Sequence, residues 1–189
     1  MRALVTAILL TAGPAWADSR CARFGTPAYS ATRLVAAPDM APMSSQAFIA
    51  GAQMRIEAEG PRQGRMVTLM TPQLRALFLT TADPPVAIRM PETPLPPVPN
   101  GARRQREEPA AGRITLITEI RGETGAWHEV ARVLCRRDGV LLEARQMVLR
   151  DGRPVITETR QSNIRLGAQD AALFRLPDGF RLVDPPPRP

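Results

Sequence analysis

The chain has 189 residues, 44% of them apolar and only 4% aromatic, with two cysteines and one histidine. Its 25 basic side chains are all arginine, against 18 acidic ones, for a net charge of +7. This length holds one ordinary domain with a hydrophobic core, while one histidine and two distant cysteines exclude the usual N/S metal site. No aromatic–basic interleaving accompanies the positive charge, so nucleic acid is not an expected partner. A solvated surface written in arginine accounts for the balance, with anionic headgroups or other envelope polyanions as the alternative.

The first residues, "MRALVTAILLTAGPAWADSR", carry one charge at Arg2, an apolar run from Ala3 to Ala12 and the small-x-small triplet Ala15-Trp16-Ala17. That is the pattern of a cleaved export signal over residues 1–17. The run is shorter than the ~20 residues that span a bilayer, so no transmembrane segment is expected. The expected location is the periplasm, and an oxidising compartment makes Cys21 and Cys135 an expected disulfide. A loop of that length stabilises by about 4–5 kcal/mol in the chain-entropy account. Lipidation of Cys21 is the rival, but "DSRC" lacks the leucine and small residues that such a signal needs.

Strand signals then follow in hairpins, with almost no helical periodicity. "YSATRLVAA" (29–37) reads as a first strand, followed by "SSQAFIAG" and "QMRIEAE". The last alternates, with Met54, Ile56 and Ala58 on an apolar face and Arg55, Glu57 and Glu59 on a solvated one. "RMVTLMT" (65–71) and "LRALFLT" (74–80) form a hairpin across "TPQ". Residues 82–112 hold many prolines and the charged knot "RRQREE". Proline at this density does not continue a sheet ladder, so the segment reads as an excursion, either a linker or a functional lid. A meander of four long strands comes next, over 113–120, 126–137, 140–150 and 153–166, with Asp138-Gly139 and Asp151-Gly152 as two-residue turns. Strict alternation puts Trp127, Ala131, Val133 and Cys135 on one face. His128 falls on the opposite, exposed face. Residues 184–189 form a Pro-rich tail.

About nine strands without a helical half predict a mainly β fold: a strongly curved antiparallel sheet making an open (half) β-barrel with few short helices. In "DAALFRLPDGFRLV" (170–183), a single helical turn is expected to tuck Leu173 and Phe174 under the barrel mouth. Pro177 and Gly179 then turn the chain so that Phe180 and Val183 close or cap an edge.

The segments "AQMRIEAEG…GRMVTLMTPQLRALFL" and "NIRLGAQDAALFRLPDGFRLV" together resemble LolA-like envelope proteins, the superfamily of the outer-membrane lipoprotein carriers. The resemblance covers Met54–Leu79 and Asn163–Val183. It implies one LolA-like domain over 18–183, an incomplete barrel around an apolar cavity with a lid. By that resemblance the cavity is lined by Met54, Ile56, Met66, Leu69, Leu77 and Leu79, with Trp127 as a further lining candidate. Arg55 matches the arginine of the early strand motif; with Leu173 and Phe174 it is the candidate lid or latch. Few aromatics, no evident lid helix and the Pro-rich middle set the chain apart from the carriers proper.

No nucleophile motif surrounds His128, no glycine-rich phosphate loop occurs, and Glu57/Glu59 and Glu107/Glu108 read as solvated carboxylates. The chain is therefore expected to be no enzyme and to use no cofactor and no metal. The methionines at strand positions suit core filling first, with ligand lining as the alternative. Two functions remain: a binding or carrier domain for a lipid, acyl chain or other amphiphile, and a non-catalytic envelope protein that presents the same fold to a protein partner.

Overall fold

The computed structural model describes residues 21, 25–38, 40–60, 64–90, 103–150 and 153–185. The expected export signal, the proline-rich residues 91–102, the turn expected at Asp151-Gly152 and residues 186–189 lie outside them. Twelve strands form one sheet: β1 (Tyr29–Ala37), β2 (Met40–Ala50), β3 (Gln53–Glu59), β4 (Arg65–Met70), β5 (Arg75–Leu79), β6 (Val86–Arg89), β7 (Arg103–Ala110), β8 (Arg113–Arg121), β9 (Trp127–Arg136), β10 (Leu141–Arg150), β11 (Arg153–Leu166) and β12 (Arg181–Val183). Their order is β12-β6-β5-β4-β3-β2-β1-β11-β10-β9-β8-β7. The end strands β12 and β7 are not neighbours, so the sheet is left open, as the expected fold class requires. Among the described residues no helix is long and apolar enough to cross a membrane.

The residues group into two compact units, and β1, β2 and β11 contribute to both. The first takes in the described residues of 1–26, 34–42 and 93–161. Its core gathers Leu116, Val133, Leu141 and Ala144 around the Cys21–Cys135 disulfide, with Ile114 packed against them. Between β9 and β10 the chain turns differently from the two-residue loop expected at Asp138-Gly139. The Arg136 N–H donates to the Val140 carbonyl, and the Gly139 N–H donates back to the Arg136 carbonyl. Three residues thus form the loop, and only Gly139 takes positive φ, at 85°. That is a type I turn closed by a glycine bulge, and the Asp138 carboxylate accepts from the Val140 N–H.

A second irregularity lies in β9. Thr118 faces Ala131 but Glu119 faces Glu129, so Val130 is an extra residue. The bulge reverses the alternation and carries Trp127 to the face opposite Ala131, Val133 and Cys135, which corrects the strict reading of that strand. Beyond this bulge the exposed His128 stands opposite Ile120.

The excursion expected over 82–112 holds strand β6 and, after the proline-rich residues, β7. β7 pairs with β8 from Arg103 opposite Ile120 to Ala110 opposite Arg113, and all eight residues are exposed. Apolar alternation does not form this strand. Arg104 binds Glu119 at 2.7 Å and stacks on the Trp127 ring with its carbon 4.4 Å from the centroid. Arg106 reaches the same Glu119 carboxylate at 3.5 Å, and Arg132 of β9 approaches Glu108 at 3.9 Å. Pro109 is tolerated because β7 ends the sheet order.

The second unit holds the described residues of 27–33, 43–92 and 162–189. Here β2 to β6 form consecutive hairpins. The β2–β3 loop places Gly51 at φ 58° in the first central position, where a type II′ turn wants it. β12 runs parallel to β6, with Leu182 opposite Ala87, whereas the other registers described are antiparallel.

Candidate functional site

The register of the second unit sorts its side chains onto two faces. Across β3, β4 and β5, Met54 stands opposite Met70, Ile56 opposite Thr68, Met66 opposite Leu79 and Thr68 opposite Leu77. Met54, Ile56, Met66, Leu77 and Leu79 therefore share one face. Leu69 stands opposite Arg55 on one side and Ala76 on the other, so it belongs to the other face. The expected lining set is thus divided, because Met66 and Leu69 lie three apart on a strand of period two. Trp127 lies in the first unit. A cleft of about 420 Å³ in that unit, bordered by Arg132, Arg145, Met147 and Ile156, touches none of the expected lining residues.

The face of Leu69 carries the second unit's apolar core. Val67, Leu69, Ala76, Phe78 and Ala87 are buried there, and the closing segment covers them with Phe174, Leu173, Leu176, Phe180 and Leu182. The local reasons are short-range. Asp170 caps a 3₁₀ turn over Ala171–Phe174 by accepting from the Ala172 N–H at 2.8 Å. The turn drives Phe174 inward to 5% exposure. The Phe180 N–H then donates to the Pro177 carbonyl, and Arg181 bonds to Pro85 as β12 begins. Phe180 meets Phe78 with ring centroids 4.9 Å apart, a tilted contact worth about 0.5–1.5 kcal/mol beyond burial.

One charged cluster is set into this apolar layer. Arg55 is 8% exposed, and its Nε donates to Glu57 Oε1 at 2.6 Å. Its Nη1 donates to the backbone carbonyl of Leu173 at 3.2 Å, and its guanidinium carbon lies 5.8 Å from the Phe78 ring centroid. Arg65 supplies a second cation to Glu57, from Nη1 to Oε2 at 2.5 Å. Arg55, Leu173 and Phe174 thus come together, and Arg55 joins the sheet to the closing segment directly.

The solvated role expected for Glu57 is corrected: it is 8% exposed, because the closing segment covers the face that alternation assigned to water. Burial works to raise its pKa, but the hydrogen bonds from Arg55 and Arg65 and their charges outweigh it. The carboxyl is therefore held below the usual glutamate range. Neither Arg55 nor Arg65 is expected from the sequence to pair with Glu57, although Arg55 and Glu57, opposite charges two apart on one strand face, are the available signal. Chemically, the arrangement neutralises a buried charge and leaves one guanidinium N–H to hold a chain segment. Among the described residues, no three His, Cys, Asp or Glu side chains converge as metal ligands would.

No family model matches the chain, and no curated protein shows significant similarity to it. Solved structures do match. An uncharacterized conserved protein of Thermus thermophilus is 13% identical with a TM-score of 0.52, over 90% of this chain and 98% of that one. A LolA superfamily protein of Nitrosomonas europaea is 14% identical with a TM-score of 0.41, over 85% of this chain and 96% of that one. A chain of the Pseudomonas aeruginosa MucA/MucB complex is 12% identical with a TM-score of 0.47, over 89% of this chain and 62% of its own length. At these identities the likeness is one of fold.

Proposed function

We propose that this chain is an exported, non-catalytic carrier that takes an acyl chain or similar amphiphile against the β2–β6 face, beneath its closing segment. The observation that carries the reading is the bond from buried Arg55 to the Leu173 carbonyl. It fastens a short, capped segment over a continuous apolar layer of the sheet. Lifting that segment exposes Phe48, Leu69, Phe78 and their neighbours, a surface on which acyl chains replace Leu173, Phe174 and Phe180. A ligand that binds the lifted state works against the latch, so weakening the latch raises its apparent affinity.

The test is a titration with dansyl-labelled undecanoic acid, comparing wild type with an Arg55→Leu/Glu57→Leu double variant. Removing both charges avoids leaving either one buried alone. The reading expects saturable binding by wild type and binding about fivefold tighter by the double variant, as loss of roughly one hydrogen bond from the closed state implies. Absence of saturable binding in both proteins contradicts it.

A second reading is favoured by a separate observation. β7 presents an exposed strand edge in the first unit, which suits a protein that acts by docking rather than by carrying.

A further inference from the structure

We propose that β7 pairs edge to edge with β7 of a second copy of this chain, antiparallel and centred on Arg106. The strand ends the sheet order, and among the described residues no strand covers its outer side. An uncovered edge invites pairing, and proteins defend such edges with charge and proline. β7 carries both, in Pro109 and in five charged residues out of eight. Its charges are also segregated along the strand. Arg103, Arg104 and Arg106 occupy the first half, and Glu107 and Glu108 follow. A parallel copy would set like charge on like. An antiparallel copy sets the basic half of each strand against the acidic half of the other, so the edge that resists most strands complements its own reverse.

Geometry narrows the register. Two antiparallel edges of one sheet are related by a twofold axis normal to it, and opposed residues project to the same side. Opposed residue numbers must therefore have the same parity. Centring on Gln105 opposes Arg103 to Glu107 twice but also Arg104 to Arg106 twice, so attraction and repulsion offset. Centring on Glu107 opposes Arg106 to Glu108 twice, but it opposes Glu107 to itself and sets Gln105 against Pro109, whose side chain has no polar group to answer it. Centring on Arg106 opposes Arg104 to Glu108 of the second copy, and Gln105 to Glu107 of the second copy, each twice. The one like pair in that register is Arg106 with Arg106, and each guanidinium is already matched within its own chain by Glu108 and Glu119. Arg104 and Glu108 are held in the Glu119 and Arg132 network, so the opposed groups are positioned before they meet.

This inference rests on β7 alone and is independent of the carrier reading. Gln105 is exposed and lies outside the ion-pair network, so substituting it tests the register without dismantling the strand. Sedimentation velocity of wild type from low-micromolar to near-millimolar concentration should show reversible dimerisation that weakens in high salt. Gln105→Glu opposes two carboxylate pairs and should weaken the dimer about tenfold, while Gln105→Arg creates two ion pairs and should tighten it. Gln105→Glu/Glu107→Arg swaps the charges across the register and should restore wild-type association. Wild type that remains monomeric throughout overturns the proposal. So does a dimer whose constant ignores both Gln105 substitutions, or a double variant that stays as weak as Gln105→Glu. Probe binding by the Gln105 variants is expected to match wild type, which separates failure here from failure of the carrier reading.

Discussion

Arg55 owes its position to two opposed demands. A guanidinium is expensive to bury, and Glu57, with Arg65 behind it, supplies the compensating charge. Taking Arg55 away leaves a buried carboxylate matched only by Arg65, whose side chain is 68% exposed. Arg55→Leu should therefore lower unfolding stability by about 3 kcal/mol, and Arg55→Leu/Glu57→Leu should recover most of that loss, read by urea denaturation. The sign of the pH effect follows from Glu57. Its folded pKa lies below its unfolded one, so its contribution is present above about pH 4.3 and is lost as pH falls through the lowered value. The double variant should lose stability less steeply than wild type in that acid range. Alternation along "QMRIEAE" puts Arg55 and Glu57 on one face correctly, yet it assigns that face to water. The cover comes from Leu173, 118 residues further on, and nothing local announces it.

At the scale of elements, turns and strands differ in what they disclose. The limits of β1 are read from its apolar alternation and those of β11 from the glycines that flank it in sequence, Gly152 and Gly167. β7 is hidden because its pairing energy lies in ion pairs and in an aromatic stack from another strand, and no pattern of hydrophobicity records those. The bulge at Val130 is hidden for a different reason. One extra residue changes every face assignment before it while leaving composition untouched. The β9–β10 turn was legible in its glycine but not in its length. Gly139 sits at positive φ, and a Cβ there would lie 2.6 Å from Thr26 Oγ1 and 2.7 Å from the Cys21 carbonyl. The Thr26 hydroxyl donates to the Gly139 carbonyl, so the segment leading into β1 is moored on this turn beside the disulfide. Gly139→Ala should cost at least about 1 kcal/mol in thermal or chemical unfolding, and an unchanged midpoint would argue against that mooring.

Across the whole molecule, one open sheet supports two separate devices. In the second unit a short terminal segment closes over an apolar face and is fastened by a buried arginine. In the first, a charged strand ends the sheet, and no strand among the described residues covers its edge. The open β fold and its hairpin order were legible because they follow from alternation and turn residues. The division of the lining set was partly legible too, since Met66 and Leu69 cannot share a face of a regular strand. The carrier reading depends on whether the closing segment lifts to admit a ligand. Native mass spectrometry of the wild-type protein, released gently from a bacterial envelope, tests that most directly. The account predicts a population carrying one lipid-sized adduct, displaced by dansyl-labelled undecanoic acid. The bare chain mass alone, with no adduct formed when that probe is added, would contradict it.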